Sequence, residues 1–264
     1  ATTEIYTLSL HDALPISGHK IIWIDTPDGK LTTELIDQAL LRYEDEHTVV
    51  PRVVYLTQVT ELGTVYTKDE LVKIIAHAKS KQLYTYLDGA RLAMAIASKT
   101  AHLTTQDVGN LGLDMFYIGG TKNGGMFGEA IVIQNDTFKP YFRNIIKQHN
   151  GMMSKGRFLG QQFARFFDDD NLWLTLANHA NEMAAKLYNG LKELGIEFDT
   201  TADTNQLFPI LDNAVIEKLR QDYGFYNWEK VGDNKTKVRF VCSWATPENK
   251  VDEFLADIKQ ALET

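Results

Sequence analysis

From Gly18 onward, short β-branched and aliphatic runs alternate with stretches whose apolar positions recur every three or four residues. KIIWID (Lys20 to Asp25) reads as a strand, and LTTELIDQALLRYEDE (31–46) as a helix capped by a Thr. RVVYLTQ (52–58) is the next strand, followed by the helix KDELVKIIAHAKSKQ (68–82), whose Leu71, Ile74 and Ile75 form one apolar stripe. LYTYLDG (83–89), MFYIGGT (115–121) and EAIVIQ (129–134) continue the series as strands. Strands that are apolar almost throughout are buried on both faces, so the pattern predicts an α/β domain: a mostly parallel sheet with helices on either side.

Helical spacing then dominates 139–195. The remainder reads as a small α+β unit: a segment through 198–211, the helix VIEKLRQDYG, strands around YNWEK and KVRFVCSW, and a last helix. In that helix Thr246 can cap, Pro247 suits the first turn, and Val251, Phe254, Leu255, Ile258 and Leu262 keep helical spacing. The expected organisation is a large domain over 18–172 and a C-terminal one over 173–264.

The segment 1–17 stands apart. Its stretch YTLSLHDALPIS (Tyr6 to Ser17) has no basic n-region, and Glu4, His11 and Asp12 interrupt any apolar core, so it does not fit a secretion signal. Read back into codons, it resembles a translated sequencing adapter. On that expectation 1–17 is a non-native leader, and the natural chain, from Gly18, lacks its upstream part.

Composition narrows the function. The chain has 264 residues, 44% hydrophobic and 23% charged, as in ordinary globular proteins. A net charge of −8 and a pI near 5.4 argue against nucleic-acid or anionic-membrane partners, and no apolar run approaches a membrane span. A single cysteine, Cys242, forms no internal disulfide and fits a reducing, cytoplasmic setting. The seven histidines make no metal motif; His179 and Glu182 are neighbours on one helix. The run Asp168, Asp169, Asp170 precedes a helix, where capping and charge compensation explain it better than a metal.

Chemistry converges where the strands end. TQVTELG follows VVYL, DGAR follows LYTYL, and GGTKNGG follows MFYI. Parallel sheets gather such ends at one rim, which would bring Gln58, Asp88, Arg91 and Lys122 together. An acid and a lysine on neighbouring strand ends suit pyridoxal phosphate, which needs an amine for covalent attachment and a carboxylate against its pyridine nitrogen. Either string alone is weak, and Asp88 with Arg91 could be a local ion pair.

In this order and topology, YLDGARL, FYIGGTKNGG and KVRFVCSW resemble the threonine aldolase and β-eliminating lyase family of fold-type-I pyridoxal phosphate enzymes. The resemblance implies an aspartate-aminotransferase-like large domain, incomplete at its N-terminus, with the small domain behind it. It implies Asp88 as the pyridinium partner, Lys122 as the Schiff-base lysine with Thr121 beside the cofactor, and Arg91 against the substrate carboxylate or the cofactor's phenolic oxygen. Arg239 would be a second carboxylate-binding arginine. The implied reaction is retro-aldol cleavage of a β-hydroxy amino acid by a homodimer or homotetramer.

There are two departures from the family pattern. Glu61 follows Thr60 where many aldolases carry a His, so Glu61 or a water would take the β-hydroxyl proton, or the reaction differs. Lys122 is followed by Asn-Gly-Gly, which leaves β-elimination of another amino acid as the alternative. The family's phosphate-binding turn and stacking ring lie before the counterpart of Gly18. Without them the resemblance implies cofactor binding weakened about tenfold to several hundredfold, or an inactive fragment. A rival from another class, a phosphoacceptor domain using Asp25, Asp88 and Lys122, is disfavoured because RVVYL intervenes between the acids and the chain is far too long.

Overall fold

A computed structural model describes residues 3–7 and 18–263. The rest of the leader, including 8–17 of the adapter-like stretch, lies outside the described residues. The large sheet has the order β2-β1-β3-β4-β5-β6. These strands are β1 (Thr3–Thr7), β2 (Lys20–Ile24), β3 (Pro51–Thr57), β4 (Tyr84–Asp88), β5 (Met115–Gly119) and β6 (Glu129–Ile133). All neighbours run parallel except β5 and β6. KIIWI and RVVYL therefore do not touch: Thr3–Thr7 pairs with both, Ile5 lying level with Ile22 and with Val54.

Helices cover the sheet where the apolar periodicity predicts them. The first, α1, spans Thr33–Leu41 and stops five residues before the end of the helical pattern; 44–48 is polar, and the chain loops from there into Pro51. The second, α2, spans Lys68–Ser80 and begins with a capping box in which Thr67 and Glu70 satisfy each other's backbone N–H groups. Its buried stripe is Leu71, Ile74, Ile75 and Ala78, one residue longer than expected. Each fully buried aliphatic side chain there contributes about 1.5–3 kcal/mol. Short helices α3 (Leu92–Ile96) and α4 (Thr105–Asn110) lead to β5, and α5 (Phe142–Gln148) and α6 (Arg157–Phe166) follow β6.

The long helix α7 (Leu172–Glu193) joins two cores. Trp173, Ala177 and Ala180 pack into the core of the large sheet, whereas Met183, Ala184, Leu187 and Leu191 pack into the second core. The helix thus lends residues 173–180, expected in the C-terminal unit, to the core of the large sheet. Beyond it stand β7 (Glu197–Phe198), β8 (Gln206–Leu207), β9 (Pro209–Asp212), α8 (Asn213–Leu219), β10 (Tyr226–Val231), β11 (Lys235–Val241) and α9 (Glu248–Glu263). The small sheet is antiparallel, ordered β10-β11-β9-β7 with β8 also on β11. In α9, Val251, Phe254, Ile258 and Ala261 are buried, while Leu262, expected on that face, is exposed. Asp170 pairs with Arg165 through two hydrogen bonds of 2.6 and 2.7 Å, so the acidic run before α7 is balanced by a neighbouring cation. Among the described residues no helix is long and apolar enough to cross a membrane.

Candidate active site

β3, β4 and β5 are adjacent and parallel, so their carboxyl ends share one rim. Asp88 is the last residue of β4 and is 1% exposed. The loop after it and the loop after β5 interlock through glycines. A Cβ on Gly89 would lie 1.8 Å from the carbonyl oxygen of Tyr117, and one on Gly119 would lie 2.3 Å from that of Ala90. The Gly119 N–H instead donates to the Gly89 carbonyl at 2.9 Å. The D-G and G-G pairs in the sequence are thus what lets the acid-bearing and lysine-bearing turns touch.

Lys122 lies in the single turn Thr121–Asn123 that follows β5, and this turn is held from two sides. Glu129, at the start of β6, accepts the Gly120 N–H at 2.7 Å and the Thr121 hydroxyl at 2.8 Å. The fully buried Trp173 of α7 donates its indole N–H to the Gly119 carbonyl at 3.2 Å, and its own carbonyl accepts from Asn123 at 2.7 Å. Lys122 itself is exposed, yet neighbouring atoms strip part of its hydration. That burial and the nearby Arg91 charge push its pKa below the ordinary lysine value, against the opposing pull of Glu61, Asp88 and Glu129.

Arg91 occupies the N-cap position of α3 without capping it. Burial lowers its pKa; Glu61 and Asp88 oppose that shift, while Arg239 adds to it. The guanidinium of Arg239 comes from β11 of the other unit, stacked on Tyr226 and Trp228 at 5.1 and 5.2 Å. Its Nε is buried and makes no hydrogen bond. Arg91 therefore lies within electrostatic reach of both Lys122 and Arg239, and Glu61 and Asp88 act on Arg91 and on Lys122 alike. Among the described residues none of the three cations forms an ion pair.

Two expected residues are engaged elsewhere. Gln58 is fully buried, and its amide donates to the Tyr66 carbonyl at 2.9 Å and accepts the Tyr66 N–H at 3.0 Å. It closes the 58–66 loop that carries Glu61, rather than facing the rim. That loop is tied to the small unit by Thr204, whose hydroxyl donates to the Gly63 carbonyl at 2.9 Å. Thr121 gives its hydroxyl to Glu129, as above. Asp25 is exposed beyond the end of β2, with β1 and β3 between it and β4, so no phosphoacceptor triad assembles.

Sequence reasoning missed Tyr55, Tyr117, Glu129 and Trp173. The hydroxyls of Tyr55 and Tyr117 both donate to Asp88, the first at 2.6 Å. The available signal was a Tyr inside each of two otherwise apolar strands, at positions whose period of two shares a face with Asp88.

Comparison with known proteins now fits this geometry. The model of the β-eliminating lyase family matches residues 2–214. The chain belongs to that family. Among its relatives is a low-specificity L-threonine aldolase of a Pseudomonas species, 36% identical over 251 residues, which are 93% of this chain and 70% of that one. The protein of the same description from Pseudomonas aeruginosa is 37% identical over 92% of this chain and 69% of its own. The threonine aldolase of Leishmania major superposes with a TM-score of 0.94 at 44% identity, covering 98% of this chain and 77% of that one. Serine palmitoyltransferase of Sphingomonas wittichii, at 14% identity, has a TM-score of 0.71 over 99% of this chain and 66% of its own, and so shares the fold alone. As a β-eliminating lyase family member with this topology, the chain has the architecture of fold-type-I pyridoxal phosphate enzymes.

Proposed function

We propose that this chain is a pyridoxal-phosphate-dependent lyase that breaks the Cα–Cβ bond of β-hydroxy amino acids, turning threonine into glycine and acetaldehyde. The observation that carries the reading is the meeting of Lys122, Arg91 and Arg239 beside a buried Asp88, with no carboxylate pairing any of the three cations among the described residues. Cations brought near carboxylates but paired directly with none of them keep their hydrogen-bonding N–H groups available for an anionic ligand. The relatives named threonine aldolases give that ligand its class.

The residues fit the cofactor. Lys122 would hold it covalently, and a pKa below the usual lysine range leaves more of the amine neutral and nucleophilic. Asp88, enclosed and hydrogen-bonded, would face the pyridine nitrogen. When bound, pyridoxal phosphate supplies an electron sink for the pair released as the Cα–Cβ bond breaks.

The chain's own residues do the rest. Arg91 and Arg239 hold the substrate carboxylate, because a bidentate guanidinium fixes orientation as well as charge. That orientation selects which bond at Cα is aligned for cleavage. Glu61, on the loop closed by Gln58, accepts the β-hydroxyl proton; the O–H pair becomes the aldehyde C=O, Cα and Cβ separate, and Cα takes up a proton to give glycine. Lys122 Nζ would carry that proton.

The same reading makes the enzyme a cytoplasmic homo-oligomer. Exposed Met126, Phe127, Ile145, Met153 and Phe158, clustered within 126–158, support a subunit contact.

Reconstitution with pyridoxal phosphate, borohydride reduction and peptide mapping test the cofactor; product analysis with threonine tests the reaction. The expected result is one adduct on Lys122 and equal amounts of glycine and acetaldehyde. No adduct overturns the cofactor assignment. An adduct with a keto acid and ammonia overturns the retro-aldol step and replaces it with elimination.

A further inference from the structure

Asp88 is held by more than its place in the sheet. Its Oδ1 accepts the Ala90 N–H at 3.0 Å and the Tyr117 hydroxyl, and its Oδ2 accepts the Tyr55 hydroxyl at 2.6 Å. The phenols come from strands on either side, β3 and β5, and their rings are fixed by a ladder across the sheet. Tyr55 stacks on Tyr86 with centroids 5.0 Å apart and planes 26° apart, and Tyr117 lies 6.4 Å beyond Tyr86. Burial, then the Asp88 charge, raise the Tyr117 pKa far above its ordinary value, so this hydroxyl remains a donor.

We propose that Tyr55 and Tyr117 are positioning residues that keep Asp88 ionised and thereby keep the proton on the ring nitrogen of bound pyridoxal phosphate. The inference rests on the cofactor assignment above and goes beyond it. A carboxylate and a pyridine nitrogen facing each other compete for one proton. Burial of Asp88 alone favours its neutral form, and a neutral acid beside an unprotonated ring makes a poor electron sink. Donors aimed at the carboxylate favour its charged form, and charge-assisted hydrogen bonds are the stronger kind. Two phenols added to one backbone N–H shift the balance toward carboxylate and pyridinium. Neither phenol needs to touch the substrate.

The test uses the holoenzyme, reconstituted with pyridoxal phosphate carrying a heavy-nitrogen label in its ring and followed by nitrogen NMR across pH. In the unaltered protein the ring nitrogen is expected to resonate as pyridinium. In Tyr55→Phe and in Tyr117→Phe it is expected to move toward the position of unprotonated pyridine as pH rises, with Asp88→Asn marking the limit. Each single variant is expected to lose about tenfold in kcat for threonine while KM stays within about twofold. The double variant is expected to lose more; should it not fold, the single variants decide. Borohydride mapping of Lys122 in every sample separates two kinds of failure. No adduct in the unaltered protein overturns the cofactor assignment itself. Adducts on Lys122 with an unmoved ring-nitrogen signal in both single variants overturn the role given to the tyrosines and leave the cofactor assignment standing.

Discussion

Lys237 and Arg239 lie two residues apart on β11, where the period of two puts them on the same side of the small sheet, opposite the buried Val238 and Phe240. Their surroundings differ completely. Lys237 has a side chain only 8% exposed, and it is neutralised by Asp199 at 2.5 Å and by Glu229 at 2.8 Å. Arg239 has two aromatic rings and a buried Nε without an acceptor. A buried cation whose counter-charges come from its own chain completes the structure. A half-buried cation left with only ring faces gains their modest electrostatic attraction but has no counter-charge of its own, as the proposed carboxylate-binding role of Arg239 requires.

The largest effect is expected at Arg239. Replacing it with Met keeps the bulk between Tyr226 and Trp228 and removes the charge. The expected loss in kcat/KM for threonine is at least about 30-fold, as when one partner of a desolvated, hydrogen-bonded charge pair is truncated. Thermal stability is expected to stay within about 1 kcal/mol, because the charge lost was unpaired and the ring contacts are partly retained. Steady-state kinetics with a thermal melt check both. A fall in stability with unchanged kinetics would make Arg239 a structural residue like its neighbour.

The next effect is smaller and opposite in kind. Lys237→Met is expected to cost about 1–2 kcal/mol and to leave kcat/KM unchanged. A fully buried pair broken on one side would cost more, but Asp199 and Glu229 are 44% and 62% exposed and regain water when the lysine is gone. Denaturant unfolding alongside the Arg239 variant measures the difference directly. Equal stabilities for the two variants would remove the distinction between a completed and an uncompleted cation.

The sequence carried this distinction only in part. Asp88 and Lys122 were legible because they sit at strand ends amid glycines, and the glycines proved to be needed there: Gly89 and Gly119 permit a backbone approach that a Cβ would block. Arg239 was legible through the family pattern of KVRFVCSW but not from physics, since a lysine two residues earlier in the same string looks identical on paper. Which of the two is paired depends on Asp199 and Glu229, one from the chain after β7 and one across the ladder, and that is a fact of tertiary register. Gln58 was misjudged for a related reason. A polar residue after a strand looks like a ligand contact until the loop it closes is known, and its partner, Tyr66, is eight residues away. Tyr55 and Tyr117 were hidden by being good strand residues, indistinguishable from core until both hydroxyls were seen to meet one carboxylate. The parallel order of β3, β4 and β5 followed from apolar strands alternating with helices. The family resemblance implied one strand missing between KIIWID and RVVYL, with the leader segment IYTLSL or nothing in its place; Thr3–Thr7 occupies that position.

The smallest effect separates two lysines by sign rather than by size. Burial lowers the Lys237 pKa, but the hydrogen bonds and charges of Asp199 and Glu229 outweigh it, and the net shift is upward. For Lys122 burial and the Arg91 charge prevail, and the net shift is downward. A raised pKa means that the native state holds its proton more tightly than the unfolded chain does. Lys237 therefore stabilises fully below the ordinary lysine value of 10.5, and its contribution is lost as pH rises from there through its native pKa. A lowered pKa means the reverse. Charged Lys122 costs stability at neutral pH, and that cost disappears as pH rises from its native pKa toward 10.5. Lys122→Met, studied without cofactor, is accordingly expected to melt slightly higher than the unaltered protein at neutral pH. The gain should be under about 1 kcal/mol, since an exposed ammonium keeps much of its hydration. It should shrink as pH rises toward 10.5 and be gone there, whereas the deficit of Lys237→Met should begin to close only above it. Melting curves of the two variants against pH test this: a deficit for Lys122→Met that tracks the deficit for Lys237→Met would mean the lysine at the rim is held by partners after all, and the rim would lose its claim to be built for a ligand.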